Sequence, residues 1–552
     1  MAPLRDAYTL ADVLTQRAES SADRVGYCFV SETKQEQTLT YAELDRRARA
    51  LAAVVRRQNV AGRPVPLLYH PGLDYIVAFF ACVYAGVPAV PLYPPRSPRM
   101  LPRFLSVIAA SRASIVLTNG ACLASVTQHL PASGLTVINT DLGHVEDERA
   151  LPRIDAASVA MIQYTSGSTS EPRGVALTHA NILFNSAAIG EHFEHHEEMS
   201  GVSWLPPYHD MGLIGGILQP MYAGFQVFLL SPTTFLHRPL FWLQLISRTG
   251  AWTSGGPNFA YEYCVERSSP RQMEGLDLSS WGLAFCGAEP IRASTLRRFA
   301  RAFEPCGFRA SAFYPCYGLA EATLMVTGGR SLAGARVREH DDRTVVSSGR
   351  VIAGQQVAIV DPSTRRSLPD GEVGEIWVRG PSVAPGYWEQ PVESAATFDA
   401  VLADTGEDDY LRTGDLGFRA DGELFVTGRV KELIIIAGRN FHPHDIEDAI
   451  ADAVPSLAVG GGAAFSIDDG GEERLVVVYE PHRRSQDEAE DVRRFARRAV
   501  SEAFGIALHE LVLIRPGTLP RTSSGKPKRL EARSHYLSGG LTLQEAAVER
   551  TS

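Results

Sequence analysis

The fold is decided by Val159-Ala160-Met161-Ile162-Gln163-Tyr164-Thr165-Ser166-Gly167-Ser168-Thr169-Ser170-Glu171-Pro172-Arg173-Gly174. Val159 to Tyr164 is a short apolar run of the kind that forms a buried strand. Behind it come small hydroxyl residues around a single glycine. Such a loop lets backbone N–H groups and hydroxyls approach phosphate oxygens closely, and Arg173 adds positive charge. The spacing is not the GxxxxGK[ST] of a Walker loop. Taken alone, the loop also reads as a Ser/Thr-rich surface turn.

Outward from this stretch, short apolar strands alternate with amphipathic helices. Leu10, Val13, Leu14 and Ala18 share one helical face, with Thr9 as N-cap. Thr40 and Glu43 form a capping box ahead of Leu44, Ala48, Leu51 and Val55. Strands are expected at Ser114 to Leu117, Leu135 to Ile138 and Val227 to Leu230. The alternation predicts a largely parallel α/β architecture.

Near residue 350 the pattern changes to short strands at Gln356 to Val360 and Gly374 to Val378. A tight hairpin follows around Asp421-Gly422, and together these predict a small β-rich subdomain. Beyond Gly428-Arg429 a new α+β unit begins. Its strands are expected at Leu433 to Ile436, Leu475 to Tyr479 and Glu510 to Ile514, and its helices at Asp445 to Ala453 and Glu488 to Phe504. We therefore expect a large N-terminal domain, residues 1–429, and a smaller C-terminal domain, residues 430–552.

Composition narrows the class. The chain has 552 residues, too many for one compact core, with 45% hydrophobic and 21% charged residues. A net charge of −10 argues against a nucleic-acid binder. The seven cysteines are odd in number and form no CxxC pair, which argues against a disulfide framework or a zinc ribbon and fits a reducing, cytoplasmic setting. The N-terminus lacks the layout of a secretory signal. Tyr75 to Pro95 carries no charge, but Gly86, Pro88, Pro91 and Pro94 rule out one continuous membrane helix. A buried helix from about Asp74 to Ala85 and a strand from Val87 to Leu92 account for it.

Five further segments carry candidate chemistry. Trp204 to Gly212 contains His209-Asp210, which on its own reads equally as a satisfied core pair. Tyr314 to Thr323 places Glu321 after a Tyr317-Gly318 turn. A carboxylate there suits Mg²⁺ held against phosphate oxygens, and Tyr317 suits stacking on a base. Asp415, in Thr413 to Gly417, can accept from both hydroxyls of a ribose, or be an ordinary turn aspartate. Gly428 to Ile434, with Gly438-Arg439-Asn440, marks the domain junction. Leu519 to Lys526 is a loop ending in a cation.

Each segment has a bland reading, yet all six in this order resemble the adenylate-forming superfamily of acyl-CoA synthetases, luciferases and nonribosomal adenylation domains. The resemblance runs from about residue 9 to residue 537. Within it, Trp204 to Gly215, Gly256 to Glu262, Gly287-Ala288-Glu289-Pro290, and Gly438 to Asn440 with Pro443, Asp445, Ile446 and Glu447 are most like the fatty acyl-AMP ligases. Arg173, where many relatives carry lysine, fits that branch.

The resemblance implies ATP as cofactor, Thr165, Ser166, Gly167, Ser168 and Thr169 as phosphate loop, and Glu321 as Mg²⁺ ligand. Gly287, Ala288, Glu289, Tyr317 and Gly318 would line the adenine pocket, while Asp415 and Arg429 hold the ribose. Lys526, Glu321 and His209 are the implied catalytic residues. Lys526 would reach in from a mobile C-terminal lid, and Lys431 would be the hinge. The implied reaction makes acyl-AMP and pyrophosphate from a medium- or long-chain fatty acid. The acyl group then passes to the phosphopantetheine thiol of a separate acyl carrier protein. Met211 to Leu236, with Phe259, Tyr261 and Tyr263, reads either as an acyl tunnel or as core.

One departure stands out. The segment from Thr327 to Ser347 is shorter than the insertion fatty acyl-AMP ligases usually carry there, one proposed to disfavour coenzyme A. A fatty acyl-CoA synthetase therefore stays an alternative, and a catalytically degenerate acyl-binding module is a second. Retention of Glu321, Asp415, Arg429 and Lys526 argues against the latter.

Overall fold

The computed structural model describes residues 7–544, except 61, 96–99, 131–133, 142–151, 166–171, 341–342, 437–438, 470–471, 483–488 and 523–524. The chain forms two compact units. One comprises Met1–Thr413 with Phe418–Val426, the other Gly414–Gly417 with Thr427–Ser552.

Among the described residues, the first unit's two large sheets have six and nine strands. The six-stranded order is Thr136–Asn139, Ile115–Thr118, Val65–Leu68, Ala89–Leu92, Val159–Thr165 and Arg173–Thr178. All neighbours pair in parallel except the last two, which are antiparallel with Thr165 opposite Arg173. The Ser/Thr-rich loop thus joins the two arms of a hairpin. The second arm was not anticipated from sequence.

The uncharged stretch resolves as expected into the helix Leu73–Ala85 and the strand Ala89–Leu92. Every residue from Tyr75 to Tyr84 is buried, so the helix is apolar all round because it lies inside the core. Among the described residues no helix is long and apolar enough to cross a membrane.

The nine-stranded order is Arg350–Val351, Thr327–Gly328, Phe313–Tyr317, Leu283–Cys286, Thr253–Gly256, Ser200–Ser203, Gln226–Leu230, Val25–Val30 and Glu36–Thr40. From Phe313–Tyr317 to Val25–Val30 every neighbouring pair is parallel. The helices Pro239–Thr249, Asn258–Arg267 and Ala293–Phe303 contribute to an aromatic core of Trp242, Tyr261, Trp281, Phe299 and Phe308. Its buried polar edges are satisfied: Trp242 Nε1 donates to Ser254 Oγ at 2.8 Å, and Ser254 Oγ donates to the Val202 carbonyl at 2.6 Å.

At the N-terminus Thr9 caps Leu10–Ser20 with a full capping box closed by Asp12. The box expected at Thr40 is only half made. Thr40 Oγ1 accepts from Glu43 N, while the Glu43 carboxylate turns outward to Arg46. A four-stranded sheet of Gln356–Val360, Gly374–Arg379, Leu411–Ala420 and Glu423–Arg429 is the small β-rich subdomain. Its last hairpin turns at Asp421 and Gly422, both with positive φ, as a type I′ turn requires.

In the second unit the sheet Leu457–Asp469, Glu472–Pro481, Leu508–Leu513 packs against Pro443–Ala453 and Ala489–Phe504 through Ile446, Ile450, Tyr479, Val492 and Val500. The molecule is an α/β protein with a smaller α+β unit at its C-terminal end.

Candidate active site

Parallel pairing sets Cys286 opposite Pro315, so the C-terminal ends of Leu283–Cys286 and Phe313–Tyr317 lie side by side. The residues there, Gly287-Ala288 and Tyr317-Gly318, form one wall of a cavity, the place where open α/β sheets bind ligands. Gly318 cannot be replaced: a Cβ there would lie 1.5 Å from the Leu324 carbonyl oxygen. Ala288 takes a left-handed φ of 67°. Glu289, assigned to the same pocket from sequence, is not among the residues lining this cavity and has a structural task. Its Oε1 accepts from Phe259 N at 2.6 Å, at the start of the helix Asn258–Arg267.

From this wall the cavity runs on to Met211, Gly215, Phe225 and Met325. Part of the expected apolar stretch therefore does line it. The aromatics Tyr261 and Tyr263 belong to the core instead. Tyr261 is fully buried and donates to the Phe285 carbonyl at 2.7 Å, and Tyr263 donates to the Leu236 carbonyl at 2.9 Å. Phe259 packs edge-on against Trp204.

His209 and Asp210 precede a π-helix, Met211–Leu218, an element that recurs at functional sites. Their loop is pinned from two sides. Gln163 Nε2 donates to the Tyr208 carbonyl at 2.9 Å, and Tyr75 Oη to the Pro207 carbonyl at 2.8 Å. Gln163 lies on the strand Val159–Thr165, so that strand and the His209 loop are tied together. Asp210 Oδ1 accepts from Met211 N at 2.7 Å, and Asp210 also lines the cavity.

Thr165 ends its strand, and its carbonyl accepts from Arg103 Nη2 at 3.0 Å. Ser166, Gly167, Ser168 and Thr169 lie outside the described residues. Beyond them Arg173 stands over the Tyr387 ring at 5.4 Å, and Tyr387 Oη donates to Glu321 Oε1 at 3.1 Å. Burial, then the Glu321 carboxylate, push the Tyr387 hydroxyl above its ordinary range and keep it a neutral donor. Tyr387 thus ties the far arm of the loop to Glu321, which sits in the short turn Ala320–Ala322. Its segment gets there by pairing: Trp388 N donates to the Gly174 carbonyl and Ala176 N to the Gly386 carbonyl. Sequence reading did not single out Tyr387, since Pro385-Gly386 before it reads only as a turn.

The described residues hold no group of three or more His, Cys, Asp or Glu side chains placed for a metal ion. Glu321 is a single carboxylate, and one suffices where Mg²⁺ is shared with substrate phosphates. Cys286, buried beside this wall, has its thiol pushed well up by burial and is no nucleophile.

In the second unit Asp415 is a buried strand residue, not a turn aspartate. Its Oδ1 accepts from Arg429 Nε at 2.8 Å, and the guanidinium stays more than half exposed. Lys526 sits in a tight loop. Thr522 N donates to the Lys526 carbonyl at 2.8 Å, and Lys526 N to Thr522 Oγ1 at 3.1 Å. Buried Glu480 organises the loop, accepting from Gly517 N, Leu519 N and Arg521 Nη2. Lys431 lies in the turn Val430–Glu432.

The 327–347 segment of the first unit carries the hairpin Val337–His340 with Arg343–Val346. It is fastened by Arg338 to Asp421 at 2.8 Å and by Arg336 and Ser347 to Glu423.

An apolar cavity joined to glycine-cornered ends of parallel strands is the geometry of a ligand-binding α/β enzyme. The chain belongs to the AMP-binding enzyme family, whose model matches residues 14–388. It is 41% identical to the medium-chain-fatty-acid–[acyl-carrier-protein] ligase JamA of Moorena producens, over 99% of this chain and 98% of that one. It is 36% identical to a 4-hydroxyphenylalkanoate adenylyltransferase of Mycobacterium tuberculosis, over 96% and 92%. Among solved structures, it is similar to the fatty acyl-adenylate ligase of Legionella pneumophila in complex with acyl adenylate and pyrophosphate. There the identity is 40% and the TM-score 0.76, with 98% of each chain covered.

Proposed function

We propose that this enzyme converts a medium- or long-chain fatty acid and ATP into acyl-AMP and pyrophosphate, then loads the acyl group onto a separate acyl carrier protein. The observation that carries the reading is the apolar cavity opening directly onto the Gly287-Ala288 and Tyr317-Gly318 wall. An acyl chain and an adenylate can share that space, with the mixed anhydride at their junction.

In the first half-reaction a carboxylate oxygen attacks the α-phosphorus of ATP and pyrophosphate leaves. The loop from Thr165 to Thr169 would cradle the phosphates, and Asp415 with Arg429 would hold the ribose. Gly287, Ala288, Glu289, Tyr317 and Gly318 would flank the adenine. Glu321 would hold Mg²⁺, which when bound neutralises phosphate charge. Tyr387, donating to one oxygen of Glu321, orients that carboxylate. His209, anchored at the start of the π-helix, would face the reacting carboxylate. Lys526 would bridge the two anions, since an ammonium with a pKa of about 10.4 stays charged while they approach.

In the second half-reaction the phosphopantetheine sulfur attacks the acyl carbonyl and AMP departs. For that step residues 430–552 would act as a lid that moves about Lys431 against the 1–429 domain. A cytoplasmic location suits an enzyme whose substrates are ATP and a carrier protein.

A second reading, a fatty acyl-CoA synthetase, is favoured by one observation: the 327–347 segment is a compact hairpin with no long insertion. One experiment separates the two. With fatty acid, ATP and Mg²⁺ the adenylate should accumulate, persist when CoA is added, and be consumed by holo carrier protein. Prompt acyl-CoA formation would instead establish the second reading.

A further inference from the structure

The far end of the acyl cavity is polar. Gln219, His195 and Thr253 all line it, and all are buried. His195 Nδ1 lies 3.2 Å from Gln219 Nε2, and His195 Nε2 lies 3.3 Å from Thr253 Oγ1. Burial, with a smaller contribution from His196, holds His195 down to about 3, so the imidazole is neutral and each ring nitrogen has one role. Gln219 Oε1 is buried with no hydrogen-bond partner among the described residues. Turning the amide over would pair the oxygen with His195 and leave the NH₂ group short instead. Either way an apolar chamber presents an amide end with one group unpaired by protein, a costly arrangement unless a ligand or a water completes it.

Register fixes the depth of this cluster. Gly256 pairs with Cys286, which directly precedes Gly287, whereas Thr253 pairs with Leu283 and Gly201 at the other end of the strands. Three residues of strand span about 10 Å. An extended hydrocarbon advancing about 1.25 Å per carbon covers that in roughly eight bonds.

We propose that Gln219, His195 and Thr253 form a hydroxyl-recognition site, and that the preferred acid carries a hydroxyl group at or near the end of a medium-length chain. A hydroxyl both donates and accepts, so it satisfies the amide in either orientation. An unsubstituted chain of the same length would bury its terminal methyl against the amide and leave that amide unpaired. This inference rests on the acyl-adenylate reading and refines its substrate.

The test compares pyrophosphate release with octanoic and decanoic acids against their ω-hydroxy counterparts. The wild type should show at least tenfold higher kcat/KM for an ω-hydroxy acid, mainly through KM. Gln219→Leu should cut that ratio at least tenfold, and Thr253→Val, which keeps the side-chain volume, should lower it too. If Gln219→Leu melts early, the wild-type comparison and Thr253→Val carry the same test. Equal kcat/KM for plain and hydroxy acids would overturn the hydroxyl site, its polar groups then being served by water, and leave fatty acid activation standing. Adenylate from none of the four acids would sink both.

Discussion

Lys526 is the side chain on which the proposed chemistry would turn, and its surroundings show how a loop residue can be held in place. Two hydrogen bonds between Thr522 and Lys526 close the turn, and Arg521 Nη1 holds the Gly525 carbonyl at 3.0 Å. A preorganised cation of this kind contributes about 3–4 kcal/mol to the transition state. Lys526→Ala is therefore expected to reduce acid-dependent pyrophosphate release by several hundredfold while ATP still binds with near wild-type affinity. Near-normal release would remove Lys526 from the mechanism. In the sequence Lys526 stands out only as part of one of six ordered segments, because a loop lysine has no local mark of its own. Tyr387 was not legible at all. Its link between Arg173 and Glu321 arises from strand-edge pairing with residues more than two hundred positions earlier.

Among the elements, the Lys526 loop depends on a strand. Glu480, near the end of Glu472–Pro481, is buried and takes two backbone N–H groups of the loop on one oxygen and Arg521 on the other. Charge-assisted bonds to backbone N–H groups fix a loop more firmly than neutral ones. Glu480→Ala should loosen residues 517–528. We expect roughly a tenfold lower kcat for adenylate formation with little change in the KM for ATP or acid. Faster amide exchange confined to that loop would accompany it. A kcat equal to wild type would show that the clamp does not position Lys526. Strands and helices with clean periodicity were legible to within a few residues: Leu73–Ala85, Pro443–Ala453 and Ala489–Phe504 are where the apolar spacing puts them. The strand Leu457–Asp469 was hidden because Gly460-Gly461-Gly462 reads as a linker. In the fold those glycines sit at a bulge, where a Cβ on Gly462 would strike the Tyr479 ring at 2.5 Å. The π-helix Met211–Leu218 was equally opaque, since its glycines and leucines suit several backbone forms.

For the molecule as a whole, the two proposed half-reactions would place opposite demands on Lys526, which would have to be present for adenylation and absent for thiol attack. The proposed movement of the 430–552 lid about Lys431 would resolve this, and the bonding next to Lys431 within the second unit bears on it. Arg529, largely but not fully buried, pairs both its Nε and Nη2 with Glu447, at 2.7 and 2.8 Å, and its Nη1 with Glu432 at 2.6 Å. Burial alone would depress its pKa, but the Glu447 and Glu432 carboxylates more than offset that and hold it above the ordinary arginine value. Glu432 is thereby tied to the body of its unit, so a hinge at Lys431 would bend just before an anchored residue. Proline at position 431 would lock φ near −65° at that point. Lys431→Pro is expected to keep acyl-adenylate formation within about threefold of wild type while slowing transfer to holo carrier protein by an order of magnitude or more. Single-turnover measurement of each half-reaction separates the two effects. Equal loss of both would mean that residue 431 supports the fold rather than the swing, and the pivot would then have to lie elsewhere in the junction.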